Sequence, residues 1–372
     1  MKSPAQKPIR IHAPQDGHTL VEMLIATIIG LFLILSVVGT FAWSMRNNMQ
    51  DSSTARMQEN ARYALEAMSR ELQMASFMHD ASGGTSVDTG MVSGVISEAA
   101  GCGASGAGPW ILKLASNELV SVSTTPETNF PCLTPKSDPD NPDSALPLHT
   151  IDIAGTAYAD VFAVKRVREP ESAPKDGDLY LQSNVDGNTR MMFWSVSNAG
   201  SDPAFSGASN WEFVANIFYI AQDNKNVKSL PECGDDFVPT LFRKVLTGSD
   251  AALSMETEPG GIAEGIEYFH LMWGIDNEMI DNNAATLPDG YPNYFVSAPT
   301  TAQLPGVVAA KLFVLARGNR SDGPYSDNKV YTMGDVTIPA DTFSDCYHRK
   351  VFSRTVRLRN QVIKNVLSTV TS

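Results

Sequence analysis

The side chain that most needs a chemical reason is Glu22. It stands directly before residues 23–45, a run of 23 residues with no charged side chain. A carboxylate inside a membrane segment costs ~2.5–3.5 kcal/mol on translocon scales. It calls for a neighbouring cation, or for the positive end of a helix dipole at the interface. Four cysteines, Cys102, Cys132, Cys233 and Cys346, offer thiol chemistry. None forms a CxxC pair, which speaks against a zinc or redox motif. In an exported domain an even number reads as two disulfides. Of the three possible connectivities, loop-closure entropy favours Cys102–Cys132 with Cys233–Cys346; reduced, buried thiols are the alternative for a cytoplasmic domain. Asp276, Asn277, Glu278, Asp281, Asn282 and Asn283 cluster oxygen ligands that could hold Ca²⁺. The EF-hand spacing is missing, and a solvated turn explains the same residues. A basic strip, His348, Arg349, Lys350, Arg354, Arg357 and Arg359, stands out in a chain of net charge −13. On a strand, Arg349, Arg357 and Arg359 share one face and Lys350 and Arg354 the other. The strip reads as an edge strand protected by charge, as a docking strip for an acidic neighbour, or, third, as a DNA contact.

No catalytic constellation accompanies these groups. Gly101-Cys102-Gly103-Ala104-Ser105-Gly106 is formally G-x-G-x-x-G, but no strand precedes it and no helix follows, so it reads as a Cys-anchored loop. There is no G-x-x-x-x-G-K-[ST], H-E-x-x-H or G-x-S-x-G, and the six histidines are scattered. The expectation is a non-enzyme with no cofactor and no metal. The net negative charge also sets the chain against phosphate backbones, so nucleic acid is not expected as the main partner.

The elements that position Glu22 are clear. At 1.5 Å per residue, residues 23–45 span a ~30 Å hydrocarbon layer. Lys2, Lys7 and Arg10 precede them, so the N-terminus lies in the cytoplasm and everything after Arg46 lies outside the inner membrane. Trp43 sits where an indole favours the interface. Beyond the membrane, Met57, Ala61, Ala64, Leu65, Met68, Leu72 and Ala75 recur at steps of three and four, which is one apolar helical face. Arg62, Glu66 and Arg70 are spaced to pair along the opposite face. With no proline between Pro14 and Pro109, a single helix over 19–79, about 90 Å long, is predicted. Gly83-Gly84 ends it. From there short apolar runs alternate with Gly, Ser, Pro, Asn and Asp. Strands are predicted at 111–114, 161–167, 179–182, 191–196, 213–221, 266–273, 307–316 and 351–358. The loop 134–148, with Pro135, Pro139, Pro142 and Pro147, reads as a surface insertion.

No A-x-A site follows the apolar run. The candidate processing site precedes it, in Gly17-His18-Thr19-Leu20-Val21-Glu22. A basic leader, Gly, Thr-Leu-Val-Glu and then an apolar helix resemble the class III signal of type IV prepilins. The resemblance implies cleavage after Gly17 by prepilin peptidase and methylation of the new N-terminus at His18, where the family usually has Phe. It also implies that Glu22 neutralises the N-terminal amine of an adjacent subunit in the filament. Further stretches resemble PilW-type minor pilins: Arg62-Tyr63-Ala64-Leu65-Glu66, Glu264-Gly265-Ile266-Glu267-Tyr268-Phe269 with Trp273-Gly274-Ile275-Asp276, and the tail from Arg349 to Asn360.

These readings converge on an α+β, pilin-like fold. A leader (1–17) precedes a transmembrane helix half (18–45). An amphipathic half (46–80) packs on an antiparallel β-rich head (81–372). The implied function is assembly into type IV pili near the filament tip. The implied partners are the other minor pilins, the major pilin, prepilin peptidase, the inner-membrane assembly platform and a large tip adhesin. The implied location is the inner membrane before assembly, with the head periplasmic, and the pilus afterwards. Arg354, Arg357 and Arg359 are the expected subunit contacts. The alternatives are a type II secretion minor pseudopilin and a minor pilin that binds DNA or an adhesion ligand directly.

Overall fold

The computed structural model describes residues 17, 19–78, 96–97, 100–102, 110–112, 119–122, 130–133, 148–153, 156–171, 174–183, 189–193, 209–223, 233, 237–249, 252–280, 288–323, 325–340, 342–343 and 345–360. The leader 1–16, His18, Gly83, Gly84, Gly103, Ala104, Ser105, Gly106, the loop 134–147, Asp281, Asn282 and Asn283 lie outside them. The chain forms two compact units, Met1–Ser52 and Ser53–Ser372.

One helix, α1 (Leu20–Met74), belongs to both. In the first unit its apolar side chains are exposed all round, from Leu20 to Met45. The hydroxyls of Thr27 and Thr40 donate back to Leu24 O and Val37 O, at 2.8 and 2.9 Å. The hydroxyl protons are thereby hidden within the helix, as a hydrocarbon environment requires. In the second unit the stripe Met57, Ala61, Ala64, Leu65, Met68, Leu72 is buried. The helix stops at Met74, short of the predicted residue 79, and for a tertiary reason. Ser76 takes the left-handed conformation, φ 61°, of a helix C-cap. Its N–H donates to Lys165 O at 3.1 Å, and Val167 N–H donates to Phe77 O at 2.8 Å. The chain thus leaves the helix by pairing with a strand.

Sixteen strands follow among the described residues: β1 (Leu119–Val122), β2 (Thr150–Ile153), β3 (Thr156–Tyr158), β4 (Val161–Glu171), β5 (Leu179–Ser183), β6 (Thr189–Phe193), β7 (Ser209–Asp223), β8 (Val238–Ser249), β9 (Ala252–Thr257), β10 (Ala263–Glu264), β11 (Ile266–Ile275), β12 (Tyr294–Val296), β13 (Val307–Arg317), β14 (Tyr331–Met333), β15 (Val336–Ile338) and β16 (Arg349–Arg357). All but one of the predicted strands overlap an observed one. The exception is 111–114: Trp110–Leu112 is a 3-10 turn. Trp110 N–H donates to Gly101 O and Trp110 O accepts the buried Lys165 ammonium, so these backbone groups are satisfied away from any ladder.

Two antiparallel sheets carry the second unit. In the larger, the order β1-β4-β7-β5-β6 is extended where the second half of β7 pairs with β8, which in turn pairs with β9 and β10. The smaller has the order β12-β11-β13-β16. Strand periodicity divides the large sheet between two cores. Phe162 and Val164 of β4, with Phe218 and Ile220 of β7, join the α1 stripe and the apolar side chains of β11 and β13. Phe162 and Phe218 stack at 4.6 Å. The alternate residues Val161, Ala163, Val167, Phe213, Ala215 and Ile217 face a second core with Trp110, Phe130 and Cys102. The structure joins Cys102 to Cys132 (Cα–Cα 4.9 Å) and Cys233 to Cys346 (5.2 Å). The fold is therefore α+β: one long N-terminal helix with an antiparallel β-rich head.

The fully buried Leu72 anchors the last turn of α1 in the first of these cores. Leu72→Ala is expected to cost about 2–5 kcal/mol of stability, read as a lower denaturant midpoint for the purified chain.

Candidate assembly site

Gly17 and Glu22 sit at the start of α1. Gly17 is exposed, and no described atom lies within 4 Å of the position a side chain there would take. Glu22 N–H donates to Thr19 Oγ1 at 3.3 Å, which makes Thr19 the N-cap and Glu22 the third helical residue. That is the sequence frame of a capping box, Thr-x-x-Glu. The carboxylate thus also lies where the helix dipole favours negative charge. The helix that follows is long and apolar enough to cross a membrane and is a candidate anchor.

The second half of α1 is fixed to the sheets by ion pairs as well as by apolar burial. Glu71 accepts from Arg166 Nε and Nη2 at 2.9 and 3.0 Å and from Asn216 Nδ2 at 2.9 Å. Arg166 and Asn216 belong to the same alternate positions of β4 and β7 as Phe162 and Phe218. Burial would raise the Glu71 carboxyl, but Arg166 and Asn216 overcome it and hold it below its usual value. Of the predicted charge ladder, Arg70 Nε donates to Glu66 at 2.9 Å. Glu66 also accepts from Arg354 Nη1. Arg354, singled out as a contact to a neighbouring subunit, thus holds a helix of its own chain. Asn360 Nδ2 adds a bond to Ala75 O at 3.1 Å.

The basic strip does not behave as one surface. Arg349 is buried, not on a solvated face with Arg357 and Arg359. It donates to Glu267 (Nη2, 2.8 Å), Asp327 (3.2 Å) and Asp345, and its guanidinium stacks 3.8 Å from the Phe343 ring. Burial alone would lower its pKa; Glu267 and Asp345 more than offset this and keep it charged. Glu267 lies 3.6 Å from a second buried guanidinium, Arg317, which rests 4.2 Å from the Tyr347 ring. Alternation along the strand fixes a residue's face, but not what lies over that face. Here two of the covering carboxylates, Glu267 and Asp327, come from positions 82 and 22 residues away. Arg357 is exposed at the end of β16, its guanidinium 5.4 Å from the Tyr291 ring, and Arg359 is exposed beyond it.

Two further carboxylate groups emerge. His270, at the centre of β11, lies between Asp160 (Nδ1, 3.0 Å) and Asp335 (Nε2, 2.7 Å), and Ser297 donates to Asp335 at 2.7 Å. Burial would lower the imidazole pKa, but the two carboxylates raise it above the usual value. No sequence motif announces this clamp, because its members are 110 and 65 residues from His270. The predicted acidic turn gathers Asp276 and Glu278 with Asp289, a residue sequence reasoning passed over, and one oxygen of each lies within 4.8 Å of the others. Asp276 accepts N–H groups from Glu278 (3.0 Å) and Gly290 (2.9 Å), which is what a turn-forming aspartate does.

Residues 217–360 match the model of the PilW family, type IV pilus-assembly protein W. This part of the chain is thus similar to PilW-type type IV pilus proteins. The matched stretch runs from the middle of β7 to Asn360 and contains the whole smaller sheet, the Arg349 cluster, and His270 with Asp335 but not Asp160. No curated protein and no solved structure matches the chain. The match supports involvement in type IV pilus assembly.

Glu71 and His270 give stability opposite pH limits. The folded pKa of Glu71 lies below its ordinary value of 4.5, so its contribution is complete above pH 4.5 and is lost as pH falls through the folded value. That of His270 lies above 6.5, so its contribution is complete below pH 6.5 and is lost as pH rises through the folded value. Melting temperature across pH should show both limbs, with Glu71→Gln flattening the acid limb and His270→Gln the alkaline one. Glu71→Ala, which leaves Arg166 uncompensated, is expected to cost roughly 3–5 kcal/mol at neutral pH.

Proposed function

We propose that this PilW-type chain is a minor pilin that enters type IV pili through its N-terminal helix and helps initiate assembly near the filament tip. The observation that carries the reading is the Gly17 to Glu22 segment: an exposed glycine, a capped helix start and a carboxylate at its third position, leading directly into an apolar helix exposed all round. Cleavage after Gly17 would create an amine at His18, which lies outside the described residues. Methylated, that amine would be the cation that Glu22 of the adjacent subunit neutralises. A chain that keeps this carboxylate needs a neighbour with an amine, which favours a place just below another subunit instead of the apex. The role is structural, not catalytic. The head, of nearly 290 residues after residue 84, suits an end position better than close tiling along a filament. The PilW match over 217–360 supports the pilus over a secretion pseudopilus. The partners are then the other minor pilins, the major pilin and a tip adhesin.

Glu22→Ala should leave membrane insertion and processing intact and remove the chain from sheared pili, as quantified by immunoblot against the membrane fraction. Wild-type amounts of the variant in pili would overturn the assembly role. Full-length chain captured in detergent should also retain the other minor pilins.

A further inference from the structure

The outer edge of β16 is open among the described residues, and its hydrogen-bonding pattern can be read residue by residue. β16 is the terminal strand of its sheet and pairs with β13. The register from Ala309 opposite Arg357 to Arg317 opposite Arg349 is unbroken. At its two ends Gly318 N–H donates to His348 O and Leu358 N–H donates to Val308 O. Both are pairs of the same register, so the even-numbered residues of β16 turn their N–H and C=O toward β13. The odd-numbered residues Val351, Ser353, Thr355 and Arg357 therefore turn theirs to the free edge. Ser353, Arg354 and Thr355 are exposed in succession, as they are where a strand has no neighbour. Main-chain donors and acceptors in such a row are a template for another strand. The template is rigid, because β13 beneath it is buried over ten of its eleven residues.

Charge decides what fits. Lys350, Arg357 and Arg359 are exposed along this edge, while Arg354 is held by Glu66, in a chain of net charge −13. Two copies of β16 would set these cations against one another, which disfavours self-pairing. An extended segment bearing Asp or Glu would place unlike charges opposite them. We propose that the β16 edge accepts an acidic, extended segment of a different protein as a fifth strand of the sheet β12-β11-β13-β16, by main-chain pairing to Val351, Ser353, Thr355 and Arg357. The proposal rests on the edge geometry and stands apart from the minor-pilin reading.

Residue-resolved amide hydrogen exchange on the full chain in detergent tests it. The probes are nine-residue peptides, the length of β16, of alternating Glu and Thr or of alternating Lys and Thr. In the chain alone, the Ser353 and Thr355 amides should exchange fast and those of Arg354 and Val356 slowly. The Glu peptide should slow Ser353 and Thr355 by about tenfold or more, and the Lys peptide should not. Thr355→Pro, which removes an outward N–H and no bond to β13, should abolish the response. If that variant fails to fold, Arg357→Glu with Arg359→Glu should exchange the preference for the Glu peptide for one for the Lys peptide. No slowing by the Glu peptide overturns the proposal. So does protection of Ser353 and Thr355 in the chain alone; light scattering then assigns the edge to a second copy if the chain is dimeric, or to its own residues 361–372 if it is monomeric.

Discussion

The helix α1 carries two different surfaces on one backbone, exposed and apolar all round in its first half and apolar on one stripe in its second, and the packing of the head answers to that stripe. Over residues 23–45 every backbone polar group is bonded within the helix and the side chains are exposed; Phe41 and Trp43 keep 66% and 68% of their surface. Exposure on that scale suits hydrocarbon and makes this half a candidate membrane anchor. From Met57 onward only one stripe is apolar, while Arg56, Glu59, Arg62 and Arg70 are exposed. Such a stripe is stable only if something covers it. In the second unit the cover comes from both sheets at once, with Ala61 and Ala64 fully buried where larger side chains would hold them off.

Apolar burial alone would leave the helix free to slide or rotate over the sheets. Directional polar contacts remove that freedom. Glu71 takes three hydrogen bonds from two adjacent strands of the large sheet, and Glu66 takes one from β16 of the small one. Arg349 and His270 then tie the small sheet to Asp327 and Asp335, outside it. Buried charges of this kind add little net stability when fully paired, but losing one partner is costly. Their effect is to make one arrangement of helix and sheets the only satisfied one. Arg349, Glu267, Asp327 and Arg354 lie in the stretch that matches PilW, whereas Glu66, Glu71, Arg166 and Asn216 lie before it.

Much of this was legible in the sequence, for reasons that also explain the rest. The helix was readable because the 3.6-residue period and the uncharged run are local signals, and β4, β7, β11 and β13 because they are apolar over most of their length. β8 escaped: Pro239 and the adjacent Arg243 and Lys244 interrupt its apolar pattern, yet Arg243 is satisfied by Glu258 at 2.8 Å in the segment that returns after β9. The helix end was misplaced because Ser76 and Phe77 are drawn off by β4, which no helix-stop signal encodes. At the candidate site, the capped start of α1 at Thr19 and Glu22 is a local pattern. The burial of Arg349 is not, since it depends on Glu267 and Asp327, 82 and 22 residues away.

The assembly role requires that the chain be processed before α1 and carried by that helix into the filament. Mass spectrometry of the chain isolated from sheared pili measures this directly. The expected result is a mature N-terminus at His18 carrying one methyl group on its amine. A terminus at Met1, a cut beyond residue 45, or the absence of the chain from the filaments would contradict it.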